Sequence, residues 1–266
     1  MDILSENTDK PIVVPPYYND FRCKAGTCRH NCCIGWEIDI DADALNRYRA
    51  VTGPLGEKLR RTVAESSEGA SFILRDNGRC PFLTDRNLCE LILERGEGML
   101  CRICRDHPRF INEYDDRLEV GLGMSCEAAA ELILRWPEPE GQPGFLPEPD
   151  PDFLLSLERL DENWTVCLNR LKAYLSAPQP AVLPKEIFWE NAFRNLYDYV
   201  LFRYGTDSEM LACHAVSLVR LCCEAFLWEN GRIVPDDMID ICRMYSAEIE
   251  YSDENLPLLE QHLSIW

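Results

Sequence analysis

The sequence predicts an α+β protein, mainly α, in which a small cysteine-rich metal-binding domain with short strands is followed by a C-terminal helical bundle. Nine of the 14 cysteines lie between Cys23 and Cys126. A proline-rich acidic stretch follows, and after it apolar residues recur at helical spacing. We therefore expect a cysteine-rich domain over 1–136, a connector over 137–152 and a helical domain over 153–266.

The cysteine-rich part contains short elements. Residues 42–65 predict a helix that is interrupted at Gly53-Pro54, and residues 71–75 predict a short strand. Residues 110–124 suggest a hairpin that turns at two aspartates, and the alanine-rich segment after Cys126 predicts a helix. The cysteines are therefore expected mostly on connections between short elements.

The connector carries six prolines and several acidic residues, which disfavour regular hydrogen-bonded structure and indicate an exposed segment. Beyond it, Asn230-Gly231 is a good stop signal for a helix. Helical periodicity is found over residues 152–176, 186–204, 208–229 and 236–263.

Charge and composition limit the classes of function. A formal net charge of -19 disfavours a nucleic-acid partner, because binding to phosphates needs lysine and arginine. The N-terminus lacks a basic region followed by an apolar one, and no transmembrane segment is expected. These features predict a cytoplasmic protein, and they leave peripheral membrane association open.

A cytoplasmic chain with 14 cysteines is not expected to hold a disulfide framework, so clustered cysteines indicate metal or redox chemistry. Thiolates bind soft or borderline metals, and short spacings present several sulfurs to one ion or cluster. Single buried cysteines are common in cores, which suits the distal five: Cys167, Cys213, Cys222, Cys223 and Cys242. The candidate metal ligands are Cys23, Cys28, Cys32, Cys33, Cys80, Cys89, Cys104 and Cys126, with Cys101 ranked last.

Spacing alone leaves the metal open. Structural zinc sites usually combine two C-x2-C pairs, or cysteines with histidines, and the spacing here matches neither ferredoxin pattern. An iron–sulfur cluster, a zinc site and a metal-free redox sensor at Cys32-Cys33 all remain alternatives.

The cysteine motifs resemble the bacterial flagellin lysine N-methylase family, part of a broader class of zinc- or iron-chelating CxxCxxCC proteins. The resemblance rests on CxxxCC followed by Trp36, on the CPFL motif at Cys80 and on the CRxxPR motif at Cys104. Two segments of the second half look like the helical C-terminal region of this family: WENAFRNLYDYVLFRYG (189–205) and YSAEIEYSDENLPLL (245–259). The chain looks shorter than typical members and has Glu127 where a proline is usual, and the family commonly lacks a cysteine at Cys101.

This resemblance implies transfer of a methyl group from S-adenosylmethionine to lysine ε-amines of flagellin, dependent on a [4Fe-4S] cluster. The alternative is a non-enzymatic module, stabilised by zinc or carrying a metal, that shares only the chelating scaffold. No strand–GxGxG–helix unit for S-adenosylmethionine is found, so a cluster with an open iron site would have to hold its amino and carboxylate groups.

Basic residues crowd the segment around Cys104. Arg105 or Arg109 is a candidate for binding the S-adenosylmethionine carboxylate, and neutralisation of cluster charge is the plainer alternative. His107 is a candidate for the general base that deprotonates lysine, and a surface role is the plainer alternative.

Aromatic and acidic residues near the first cysteines allow two interpretations. Tyr17, Tyr18 and Trp36 would suit a lysine channel, although packing is the commoner use of such side chains. Asp41 or Asp43 is expected to cap the following helix.

Overall fold

The computed structural model describes residues 10–67, 69–144, 148–178 and 180–264. The chain divides into two compact units. The described part of the first, called here the cysteine-rich unit, comprises residues 23–67 and 69–109. That of the second, the helical unit, comprises residues 10–22, 110–144, 148–178 and 180–264.

The cysteine-rich unit alternates short strands and helices. The strand β1 (Ile12–Val13) precedes it in the chain and belongs to the helical unit. The elements of the cysteine-rich unit are β2 (Asp39–Ile40), α1 (Ala42–Ala50), α2 (Gly53–Thr62), β3 (Val63–Glu65), β4 (Ala70–Phe72), α3 (Glu90–Arg95) and α4 (Arg102–Asp106). Strands β2, β4 and β3 form an antiparallel sheet in that order.

The helical unit begins, after β1, with a hairpin. Its further elements are β5 (Arg109–Glu113), β6 (Leu118–Leu122), α5 (Glu127–Leu134), α6 (Pro151–Ser156), α7 (Glu162–Leu175), α8 (Ile187–Tyr204), α9 (Glu209–Asn230), α10 (Pro235–Tyr245) and α11 (Asn255–Leu263). Strand β1 pairs in parallel with β6, with Ile12 opposite Leu118, so the sheet order is β1-β6-β5.

The mainly helical α+β prediction is confirmed. Gly53-Pro54 opens α2 and so separates it from α1, and Gly231, with a φ of 70°, ends α9 in the left-handed conformation. The predicted hairpin is confirmed as β5 and β6. The helical pattern over 236–263 is instead split into α10 and α11 by a π-helical turn at Ser246–Glu250.

Residues 110–136 lie with the helical unit, although the sequence grouped them with the cysteine-rich domain. The reason is apolar burial. Leu122 at the end of β6, Met124 just after it, and Ala130 and Ile133 in α5 are fully buried in the same core as the later helices. Alternation along a strand shows that one face is buried, but it does not show which helices cover that face.

Helix α9 occupies the centre of the helical unit, where it packs against α7 and α8. Together with the turn before it, Thr206–Asn230, it is the one described helix long and apolar enough to cross a membrane. However, 67% of its apolar window is buried inside the structure, which is typical of a core helix.

The connector has no helix or strand in its described residues before α6 begins at Pro151. Its first part is held against α8. Arg194 donates to the carbonyls of Pro139 and Gly141 at 2.9 and 2.8 Å, and Asn195 donates to the carbonyl of Trp136 at 2.8 Å. Residues 136–141 are called the strap below.

Candidate metal centre

Backbone pairing brings Cys33 and Cys80 together. The Cys80 N–H donates to the Cys33 carbonyl at 2.8 Å, and the Gly35 N–H donates to the Gly78 carbonyl at 3.0 Å. Both glycines have positive φ values, 91° and 71°, which allow the two segments to turn tightly beside each other. Two cysteines that are 47 positions apart in sequence thus lie on paired backbone.

Cys89 returns to the same region through a turn. Leu83 and Cys89 form an antiparallel bridge, and the N–H of Glu90 donates to the Phe82 carbonyl at 2.8 Å. Cys89 is the residue that precedes the first turn of α3. Fully buried Phe82 and Leu83 anchor this turn in the apolar core of the unit.

Cys101 and Cys104 lie at the start of α4, three residues apart, and therefore on one face of the helix. Asp41 fixes this helix end. Its Oδ2 accepts from the Arg102 N–H at 2.6 Å, while its Oδ1 accepts from the Ala44 N–H at 2.9 Å. The capping role expected of Asp41 is confirmed, and one carboxylate holds the first turns of both α1 and α4.

The double cap has a measurable consequence. Asp41→Ala is expected to lower the free energy of unfolding by about 2 kcal/mol, because each lost cap costs about 1 kcal/mol. Urea unfolding followed by circular dichroism measures the change. Asp43→Ala, an exposed acidic residue in the first turn of α1, is the matched control. Equal losses in the two variants would contradict the assignment.

Besides Cys32, five thiols lie close enough for each to affect the pKa of at least one of the others: those of Cys33, Cys80, Cys89, Cys101 and Cys104. We call them the five-thiol group. Burial, followed by neighbouring thiols, raises the pKa of Cys80 to about 11. Within the pair of α4, the Cys104 hydrogen bond lowers the pKa of Cys101 to about 7 and raises that of Cys104.

Cys32 stands beside this group. Its hydrogen bond with Cys33, and then its contact with His107, lower the pKa of Cys32 to about 4. The indole of Trp36 donates to the Cys32 carbonyl, and its ring lies 6.3 Å from the His107 ring. His107 thus lies next to the Cys32 thiol, and Trp36 contacts both Cys32 and His107.

The remaining predicted ligands lie in two places. Cys23 and Cys28 flank a turn at Ala25–Thr27, and this segment lies against the 84–88 turn, because a Cβ on Gly26 would come within 2.6 Å of the Arg86 carbonyl. Cys126 lies in the helical unit, directly before α5. The five-thiol group therefore includes four of the eight candidates together with Cys101.

Cys101, which the sequence ranked last, is 1% exposed and influences the pKa of both Cys80 and Cys89.

The candidate cofactor ligands Arg105 and Arg109 bracket His107 at the end of α4. Arg105 Nε lies 2.9 Å from Asp106 Oδ1, and its side chain is 39% exposed.

The chemistry of the five-thiol group fits a soft metal or an iron–sulfur cluster, since it offers several sulfurs and partly buried surroundings. Among the described residues, no three histidine, cysteine, aspartate or glutamate side chains stand in the arrangement of a metal site. Instead, Cys32 is hydrogen-bonded to Cys33, and Cys101 is hydrogen-bonded to Cys104. The donor set fits such a group, and the ligand assignment stays a prediction.

The five distal cysteines are buried in the core of the helical unit, as the sequence predicted. Cys167 and Cys222 are hydrogen-bonded to each other, and this bond, followed by burial, keeps the pKa of Cys222 well above the ordinary value. Burial does the same for the pKa of Cys223. These thiols pack as small apolar side chains.

Comparison with known proteins gives a partial match. No family model and no solved structure matches the chain. It is 25% identical over 140 residues to the Lysine-N-methylases of Salmonella typhimurium (strain LT2) and Salmonella choleraesuis (strain SC-B67), which is 48% of this chain and 33% of each relative. It is 24% identical over 140 residues to the flagellar biosynthetic protein FliU of Salmonella muenchen, of which the match covers 79%.

The chain therefore spans a third of the length of the two lysine-N-methylases it matches. The resemblance to the flagellin lysine N-methylase family is confirmed over about half of this chain.

Proposed function

We propose, from this confirmed resemblance, that the protein methylates lysine ε-amines of a protein substrate, flagellin or another protein with surface lysines. S-adenosylmethionine is the proposed methyl donor, and a cysteine-ligated [4Fe-4S] cluster is the proposed metal centre. The observation that carries the proposal is the similarity to two curated lysine-N-methylases.

The five-thiol group supports the metal part of the proposal. Ligands for the cluster are proposed from Cys33, Cys80, Cys89, Cys101 and Cys104, with Cys32 beside them. When bound, a cluster with an open iron site supplies a Lewis acid for the amino and carboxylate groups of S-adenosylmethionine. The short α4, fixed by Asp41, orients two of the thiols.

The residues beside the thiols supply the other groups that methyl transfer needs. The lysine nitrogen forms a bond to the methyl carbon as the methyl–sulfur bond breaks, and the amine must first lose a proton. His107 is the proposed acceptor of that proton. Arg105 and Arg109 are proposed to pair with the carboxylate of the methyl donor, since guanidinium groups offer paired donors.

The test combines metal analysis with transfer of label. Protein purified without oxygen is expected to contain iron and sulfide, to absorb broadly in the visible, and to move labelled methyl from S-adenosylmethionine to lysines of the flagellin from the same cell. Cys104→Ser is expected to lose both properties. Stoichiometric zinc, no colour and no label would instead support the non-enzymatic zinc module.

A further inference from the structure

The helical unit contains a cavity of about 600 Å³, and its lining residues include no member of the five-thiol group. The walls come from four segments: residues 14–17, the β5–β6 hairpin, the strap, and the end of α8 with the turn that follows it. This volume is within the range of small-ligand sites in proteins. We call this cavity the strap pocket.

The strap pocket is strongly acidic. Among the described residues, its wall contains one cation, Arg117, and five carboxylates: Glu119, Glu138, Glu140, Asp198 and Asp207. Arg117 is already committed, because its Nε donates to Glu119 at 2.8 Å and its Nη1 to Asp116 at 3.1 Å. The charge of the cavity therefore favours a cationic ligand.

The wall is also aromatic, which suits an organic cation better than a metal ion. Arg117 already shows the chemistry, since its guanidinium carbon lies 4.3 Å from the ring centroid of Tyr114. Aromatic faces attract ammonium and guanidinium groups. The remaining rings in the wall are those of Tyr17, Trp136, Phe202 and Tyr204.

A second aromatic corner has no cation of this chain over it among the described residues. Tyr17 and Trp136 meet edge to face, with ring centroids 6.0 Å apart. Burial, and then the charge of Asp198, raise the pKa of Tyr17, which places this carboxylate beside the phenol and keeps the phenol neutral. Two aromatic rings and a carboxylate thus converge on one corner of the cavity.

This corner is held in place before any ligand binds. The Glu140 N–H donates to Asp198 Oδ2 at 2.9 Å, and Asn195 and Arg194 fix the strap to α8. Gly141 permits the contact, because a Cβ there would lie 2.1 Å from Asp198 Oδ1. A preorganised corner binds more tightly, since little ordering entropy is lost on binding.

We infer that the strap pocket binds the ammonium end of a lysine side chain of an extended polypeptide, with Tyr17, Trp136 and Asp198 as its receptor. The choice of lysine over other organic cations rests on the proposed function. Lysine carries a compact charge on an apolar stem, and the pocket offers carboxylates for the charge and rings for the stem.

The experiment measures binding of a fluorescent peptide with one central lysine to the full chain by anisotropy. Its matched counterpart, with norleucine in place of lysine, keeps the stem and removes the charge. We expect the lysine peptide to bind at least about tenfold more tightly, and Asp198→Asn to remove that preference. The affinity is expected to fall as ionic strength rises, because the attraction is electrostatic.

Asp253→Asn, an exposed acidic residue of the same unit outside the pocket, is the matched charge control and should retain the preference. Equal binding of the two peptides, or equal loss in both variants, would overturn the inference. Stronger binding of free 1,5-diaminopentane than of the peptide would overturn its polypeptide part.

Methyl transfer is measured separately, so the two proposals fail in different ways. Lysine-dependent binding without label transfer would retain the pocket and remove the enzyme. Label transfer that is unaffected by Asp198→Asn, without lysine-dependent binding, would retain the proposed enzyme activity and contradict the lysine-binding pocket.

Discussion

Cys80→Ser and Cys104→Ser are each expected to reduce bound metal to below about a tenth of the wild-type content and to destabilise the cysteine-rich unit. The physical reason is linkage: a metal that binds the folded unit contributes its binding free energy to folding. Metal content by mass spectrometry and thermal unfolding by circular dichroism measure the two effects.

Cys213→Ala is the matched control, because it also removes one buried thiol but lies in the helical unit. It should keep the metal. Cys101→Ser tests the assignment further, since this thiol contacts Cys104 and influences Cys80 and Cys89. Full metal content in Cys101→Ser, with loss in Cys23→Ser and Cys28→Ser, would show that the ligands lie in the first motif instead.

Local signals in the sequence were sufficient for most elements. Gly53-Pro54 and Gly231 act through their own backbone preferences, so the helix boundaries there were predictable. The hairpin was also predictable, because alternation and two aspartates act over a few residues. Asp41 or Asp43 was expected to cap α1, and Asp41 does.

The second bond of Asp41, to Arg102, was not predictable, because it joins residues 61 positions apart. The same holds for the pairing of β1 with β6 and for the assignment of 110–136 to the helical unit. Periodicity reports which face of an element is buried, and pairing between distant elements depends on the whole core.

For the candidate metal centre, spacing identified the cysteine-rich region but not the membership of the five-thiol group. Cys101 was ranked low because the family commonly lacks a cysteine there, whereas the structure places it on the α4 face with Cys104. The signal available in the sequence was that Cys101 and Cys104 are three positions apart, which places them on one face of a helical turn.

A buried ion pair, also absent from the sequence prediction, lies in the helical unit. Arg203 Nε is 3.2 Å from Glu250 Oε2, and their side chains are 11% and 1% exposed. Glu250 also accepts from the Tyr199 hydroxyl at 2.6 Å and the Ser246 hydroxyl at 2.8 Å. Tyr199 in turn accepts from the Met124 N–H at 3.2 Å. The network therefore ties α8 and the end of β6 to the π-helical turn.

Arg203→Met is expected to lower the free energy of unfolding at neutral pH by about 3 to 5 kcal/mol, because it leaves the Glu250 carboxylate buried without its counter-charge. Burial already raises the pKa of Glu250, and Arg203, Tyr199 and Ser246 oppose that rise. Without the guanidinium the pKa must rise further. The contribution of Glu250 to the stability of the variant should therefore be fully present below the ordinary glutamate pKa of 4.5 and be lost as pH increases through the raised pKa.

Guanidinium unfolding across this pH range, in the variant and the wild type, measures the difference. Adding Glu250→Gln to Arg203→Met should recover part of the loss at neutral pH and flatten its pH dependence, since the amide is neutral and its oxygen can still accept from Tyr199. A loss in Arg203→Met that is the same at every pH, and unchanged in the double variant, would mean that the packing of Arg203 over Phe110, 4.5 Å from its guanidinium carbon, outweighs the charge.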